Sequence, residues 1–200
     1  MLNELVLNTD PRVQAIPIHE LGDPLVDLRH QVELLYGPAP RMVSNTSYTK
    51  MRRSVYYKLL EAQRLLPTDF RICLREGLRT LFLQNFLFQD CWETIRTANP
   101  GWTNQAVYSE VIKTVSPVET LNGALNVPPH STGAAADIYL VSQLGNPVNM
   151  DKANRKILST AMEAAGFVNY PAENRHWSYG DRYWAFVKNK SNAFFNVIEG

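Results

Sequence analysis

Cysteine and histidine are scarce in this chain of 200 residues, with two of the first and four of the second. Cys73 and Cys91 show no metal-ligand spacing, which excludes a thiolate zinc module and a disulfide scaffold. They read as reduced core residues, and a single disulfide between them stays open. Net charge is equally sparse. Twenty Lys and Arg against nineteen Asp and Glu leave a formal +1, so there is no general pull toward nucleic acid or anionic membranes. No window approaches the roughly 20 apolar residues of a membrane-spanning helix. The first twenty residues carry Glu4, Asp10, Arg12 and Glu20 among Pro11 and Pro17. No apolar run of signal-peptide length follows a basic start, so a cytoplasmic location is expected. Repeats, low-complexity tracts and linkers are missing too.

What is present suits a globular protein. The hydrophobic fraction is 45%, and the length fits one domain over residues 1–200 with a sizeable core. Residues 1–45 read as an extended, loop-rich segment packed on it, broken by Pro11, Pro17, Pro24, Pro38 and Pro40. A helix is expected from about Tyr48 to Leu66, with an apolar stripe of Met51, Val55, Leu59, Ala62 and Leu66. Thr46 or Ser47 would cap it and Pro67 would end it. Phe70, Ile72 and Leu74 alternate with Arg71, Cys73 and Arg75, as in a half-buried strand that delivers Arg79 just past its end. Thr80 caps a second helix, about Leu81 to Ala98, whose Leu and Phe on more than one face predict thorough burial. A third helix follows Thr103. Ala135 to Val141 reads as a strand. Asp151 caps a fourth helix, Lys152 to Ala165, with Gly166 as its C-terminal stop. Phe167–Tyr170, Arg175–Tyr179 and Tyr183–Val187 read as short strands. The expected class is α+β: helices from the first half packed on a small, mainly antiparallel sheet from the second.

Two segments stand out. One is His130-Ser131-Thr132-Gly133-Ala134-Ala135-Ala136-Asp137; the other is Glu173-Asn174-Arg175-His176. Two imidazoles and one carboxylate fill three positions of a tetrahedral Zn²⁺ and leave the fourth for water, while Glu173 beside a ligand can take a proton from that water. Residues seven apart in a regular strand face opposite sides. A bend near Gly133 is therefore needed if His130 and Asp137 are to meet one ion. On spacing alone, ordinary polar-tipped histidines and surface carboxylates fit these segments equally well.

His130 to Asp137 resembles the H-x-x-G-x-A-x-D core of the zinc D,D-peptidases, and Glu173 to His176 resembles their E-x-W-H segment. Leu25-Val26-Asp27-Leu28-Arg29, Glu76-Gly77-Leu78-Arg79 with Gln84, and Ala165-Gly166-Phe167 are similar to segments of the D-alanyl-D-alanine dipeptidase branch. The order matches from about residue 25 to residue 187. The resemblance implies the fold of the zinc D,D-peptidases and the hedgehog signalling domain. It implies one Zn²⁺ per chain held by His130, Asp137 and His176, with Glu173 as general base and Arg79 on the carbonyl or oxyanion. The implied reaction is hydrolysis of a small peptide, a D-alanyl-D-alanine-type dipeptide first. The alternatives are a D,D- or L,D-carboxypeptidase or endopeptidase acting on longer cell-wall (peptidoglycan) peptides, and a non-enzymatic zinc-binding peptide-recognition module.

The departures fall around the metal motif. Pro128 stands where the family has Ser, and His30 where it has Tyr. Leu78 and Thr80 replace Tyr and Pro beside the arginine, and Asn174 and Arg175 replace paired Trp. The family's longer loop, with an acid that holds the substrate's amino terminus, is largely missing. Asp151 is the nearest substitute, and His30 and Asp151 are the weak candidates for substrate contact.

Overall fold

The computed structural model describes residues 5–42 and 44–198; Glu4 lies outside them. The class is α+β. A five-stranded sheet runs in the order β2 (Leu35–Tyr36), β4 (Phe70–Glu76), β5 (Ala135–Ser142), β7 (Glu173–Ser178), β6 (Val168–Tyr170). Every neighbouring pair is antiparallel except β2 with β4. A separate antiparallel pair joins β1 (Leu25–Asp27) to β3 (Lys50–Arg52). The main sheet therefore recruits two strands from the first half of the chain, which the sequence reading had assigned to its second half alone.

Strand alternation sorts the two faces. Ala136, Ile138 and Leu140 of β5, Ile72 and Leu74 of β4 and Trp177 of β7 join one buried cluster. Against them pack α2 (Arg53–Leu65), through Val55, Leu59 and Ala62, and α5 (Lys152–Ala164), through Leu158, Ala161 and Met162. Asp137 and His176 leave the same strands on the opposite face, where no such helix pair covers them. A smaller cluster packs α1 (Pro11–Gln14), through Val13, on Tyr183, Trp184 and Ala185 of α6 (Arg182–Val187). A third joins α3 (Leu81–Ala98) to α4 (Asn104–Val111) through Phe88, Val107, Tyr108 and Val111. No helix among the described residues is long and apolar enough to cross a membrane.

Several elements differ from the sequence reading for identifiable reasons. Residues before 45 form short elements of their own (α1, β1 and β2). Helix α2 begins at Arg53, because a 3₁₀ turn at Ser47–Thr49 and strand β3 consume the stretch before it. Neither Thr46 nor Ser47 caps it. The Asp23 carboxylate accepts from Ser54 N at 2.7 Å and the Pro24 carbonyl from Arg53 N at 2.8 Å. The first-turn donors are thus satisfied from thirty residues away, and no local pattern announces it. Tyr183–Val187, expected as a strand, is helix α6. Asp181 accepts from Trp184 N at 2.8 Å, and this cap overrides the strand preference of an aromatic, β-branched run. Helix α3 buries one stripe only, and Phe82 and Phe86 stay 76% and 55% exposed.

Candidate metal centre

The open sheet face carries three side chains in register. Asp137 on β5 is paired with His176 on β7 on one side and with Glu76 on β4 on the other. Directly paired residues share a face. Glu76 reaches that face because the β4 register shifts between Leu74 and Glu76. The extra residue, Arg75, reverses the alternation that Ile72 and Leu74 had set. His130 arrives from a 3₁₀ turn, Pro129–Thr132, just before β5. Gly133 follows at φ 72°, the left-handed bend that residues seven apart need to meet on one side.

The resulting geometry is a small triangle. His130 Nε2 lies 3.2 Å from Asp137 Oδ1, His176 Nδ1 lies 3.3 Å from the same oxygen, and the two nitrogens are 3.1 Å apart. A tetrahedral zinc with nitrogen and oxygen ligands at about 2.0–2.1 Å has ligand–ligand edges of about 3.3 Å. The three groups fit such an ion. All are buried, and Asp137 Oδ1 has no hydrogen bond of proper geometry among the described residues. A carboxylate oxygen buried in that way is costly unless a cation satisfies it.

The outer contacts orient the rings. The Gly77 carbonyl can only accept, so His130 Nδ1 at 2.8 Å carries the proton and Nε2 offers its lone pair inward. His176 Nε2 meets Ser178 Oγ at 3.3 Å, leaving Nδ1 to face the triangle. Two ring nitrogens converging with a carboxylate oxygen make a strongly cation-attracting spot. The same field acts on the protons of these groups. Burial and the nearby Arg79 lower the affinity of His130 for a proton, but Asp137 and Glu76 together outweigh them, so the His130 pKa is raised. Burial would raise the Asp137 pKa, yet His130 and His176 hold it well below the usual carboxylate range.

No family model matches the chain. Over 237 aligned residues it is 28% identical to a D-alanyl-D-alanine dipeptidase of Synechocystis sp., with 92% of this chain and 96% of the relative covered. The chain is thus similar to that dipeptidase over nearly the whole length of both. Among solved structures it is similar to the LdcB LD-carboxypeptidase, with TM-score 0.48, 16% identity and coverage of 86% of this chain and 76% of that one. A VanYB structure in complex with D-alanine-D-alanine gives 0.48, 14%, 82% and 88% for the same quantities. A mutant of the vancomycin-resistance D,D-pentapeptidase VanY, in complex with Zn(II), gives 0.47, 14%, 78% and 93%.

Glu173 sits at the start of β7 and lines a cleft of about 1250 Å³ beside the triangle. Arg79 lines the same cleft. Its backbone N donates to the His130 carbonyl at 3.1 Å. Its guanidinium is clamped by Glu76, at 3.0 and 2.5 Å, and by Gln84 Oε1 at 2.9 Å. Burial disfavours the Arg79 charge, and Glu76 more than compensates, so the pKa is raised. Those bonds use three of the five N–H donors of a guanidinium and leave two. His30 and Asp151 are placed otherwise. His30 is exposed in a 3₁₀ turn, Asp151 caps α5 through Ala153 N and Asn154 N, and neither is among the described residues lining the cleft.

Sequence reasoning passed over two contributors to the site. Glu76 was read only as part of a motif, because the bulge that turns it toward Arg79 has no sequence signature. Arg175 was read only as a lost Trp. Its Nε donates to Asp137 Oδ2 at 3.2 Å and its other end pairs with Glu173. Its place directly before His176, the residue paired with Asp137, is the signal that was available.

Gly77 gives a direct test of the ring-orienting contact. A Cβ there would collide with the Lys50 carbonyl oxygen and meet the Tyr48 carbonyl oxygen at 3.1 Å. Both belong to backbone that cannot give way cheaply. Gly77→Ala is expected to cost about 1–3 kcal/mol in urea denaturation and to weaken Zn²⁺ binding about 10–100-fold in a competing-chelator titration. Unchanged values for both would remove Gly77 from any role in shaping the site.

Proposed function

We propose that the protein hydrolyses a small peptide at a zinc centre of one ion per chain held by His130, Asp137 and His176, with a D-alanyl-D-alanine-type dipeptide as the leading substrate. The observation that carries this reading is the buried triangle of two imidazole nitrogens and an unsatisfied carboxylate oxygen with edges of 3.1–3.3 Å. Two imidazoles and one carboxylate form a donor set suited to zinc. The named relative supports the substrate class.

Zinc in that triangle would supply a Lewis acid and bring the ionisation of water within reach of neutral pH. The chain's own groups do the rest. Glu173 accepts the proton of the attacking water as its oxygen bonds to the scissile carbonyl carbon. Arg175 engages one Glu173 oxygen, Oε1, leaving Oε2 to take that proton. The two spare N–H groups of Arg79 donate to the carbonyl oxygen as negative charge gathers on it. Glu76 and Gln84 fix the fork in advance, so little reorganisation is needed. When the C–N bond breaks, Glu173 returns the proton to the departing amine.

A second reading, cleavage of longer cell-wall peptides, is favoured by the cleft. Its volume of about 1250 Å³ exceeds the roughly 300–1,000 Å³ that encloses a drug-sized ligand. The deciding experiment is metal analysis coupled to hydrolysis of a mixed-chirality dipeptide panel, with a D-alanyl-D-alanine-ended pentapeptide beside it. One zinc per chain, cleavage of D-alanyl-D-alanine and loss of activity on chelation are expected. Zinc-loaded protein that cleaves no member of either set would leave a peptide-recognition module instead.

A further inference from the structure

The charge lining the cleft departs from that of the whole chain. The protein carries a formal +1. The cleft is lined by Arg41, Arg75, Arg79, Lys113, Arg155 and Arg175, against two carboxylates, Asp90 and Glu173. Three of these cations are already matched: Arg79 by Glu76, Arg175 by Asp137 and Glu173, and Lys113 by Glu110. The other three have no carboxylate within ion-pair distance among the described residues. They reach the cleft from three separate parts of the fold. Arg41 lies in the loop after β2, Arg75 is the extra residue of the β4 bulge, and Arg155 belongs to the first turn of α5. Arg155 is aimed by its Nε, which donates to the Met150 carbonyl at 2.6 Å.

A free alanyl-alanine dipeptide has one carboxylate and one ammonium. Its single carboxylate can match only part of the charge of three unpaired cations, and the family's acidic loop for the ammonium is missing. Clefts lined by one sign of charge raise the local concentration of the opposite sign. We infer that the cleft selects peptides carrying an acidic residue upstream of the scissile bond, with Arg41, Arg75 and Arg155 receiving that carboxylate. The inference rests on the peptidase reading for the position of the scissile bond. The bound charge itself is independent of turnover.

Binding can therefore be measured without cleavage, using zinc-loaded Glu173→Ala protein and calorimetry. The probes are two N-acetylated tetrapeptides, Ala-Glu-D-Ala-D-Ala and Ala-Gln-D-Ala-D-Ala, which differ by one charge. The Glu peptide is expected to bind about tenfold more tightly in 50 mM salt, with most of the advantage gone at 0.5 M as screening shortens. Arg75→Glu should abolish or invert the preference. Arg41→Gln with Arg155→Gln should reduce it, while zinc content and melting temperature hold, since all three side chains are exposed. Equal affinity for the two peptides, no binding of either, or a preference that survives Arg75→Glu in the Arg41, Arg155 double variant, would overturn the inference. The outcomes separate cleanly. A charge preference without hydrolysis by wild-type protein sinks the peptidase reading and keeps this one. Hydrolysis of D-alanyl-D-alanine without a charge preference does the reverse.

Discussion

Glu173→Ala is expected to keep the zinc content of the parent protein and to lose about 10²–10⁴-fold in kcat, the usual share of a positioned acid–base group. The reasoning is geometric. The triangle that fits a cation consists of His130, Asp137 and His176, and Glu173 is not among the groups within 4.8 Å that could share the ion. Removing it should leave metal affinity intact. The carboxylate nonetheless lines the cleft and is 30% exposed, so water and substrate both reach it. A competing account makes Glu173 only the partner of Arg175. Glu173→Gln distinguishes the two. The amide oxygen still accepts from Arg175, so a purely structural role predicts near-normal turnover. A base predicts that Gln is as inactive as Ala, with KM little changed, because Gln cannot accept the proton. Activity within twofold of wild type in either variant, or zinc lost from both, would refute the assignment.

The same residues show how far a single sequence carries such a site. His130 and Asp137 are seven apart, and only Gly133 makes that spacing workable. The glycine could be recognised in advance because a left-handed residue is a local property. The pairing of Asp137 with His176 is a matter of strand register, and the flanking alternation of Ala136, Ile138 and Trp177 with polar residues points to it. Glu76 and Arg175 were harder. The first reaches the site through a bulge and the second acts through a side chain that crosses to a neighbouring strand. Both depend on tertiary placement. The start of α2 was lost for a similar reason, since its cap, Asp23, lies in a distant loop. The α6 segment went the other way. There Asp181 was a readable cap, but the aromatic run after it carried more weight than it should have.

Arg52→Met is expected to destabilise the protein by about 2–4 kcal/mol in urea denaturation, the cost of leaving the backbone carbonyls it serves without their donor. Arg52 is 5% exposed. Its guanidinium donates to the carbonyls of Thr132, Asp23 and Asn196 at 2.8, 2.9 and 3.0 Å and to Glu20 Oε2 at 3.1 Å. Burial depresses its pKa, and Glu20 and Asp23 oppose that fall. The Glu20 pair is not the main contribution. Glu20 is 37% exposed, so solvent screens it, and Glu20→Gln should cost less than about 1 kcal/mol. The carbonyls decide the matter, because methionine fills the volume but leaves the buried Thr132 carbonyl and the partly buried contacts to Asp23 and Asn196 without donors. The consequence also reaches the metal centre. Arg52 N donates to Gly133 O at 2.9 Å, so one residue grips both Thr132 and Gly133, the hinge between His130 and β5. Zinc affinity of the folded variant should therefore fall as well, while Arg52→Lys, which keeps the charge but not the fork, should lie between parent and Met. Stability of Arg52→Met within 1 kcal/mol of the parent would show that the hinge holds its shape without this clamp. The bend at Gly133 would then rest on the 3₁₀ turn and the β5 pairing alone.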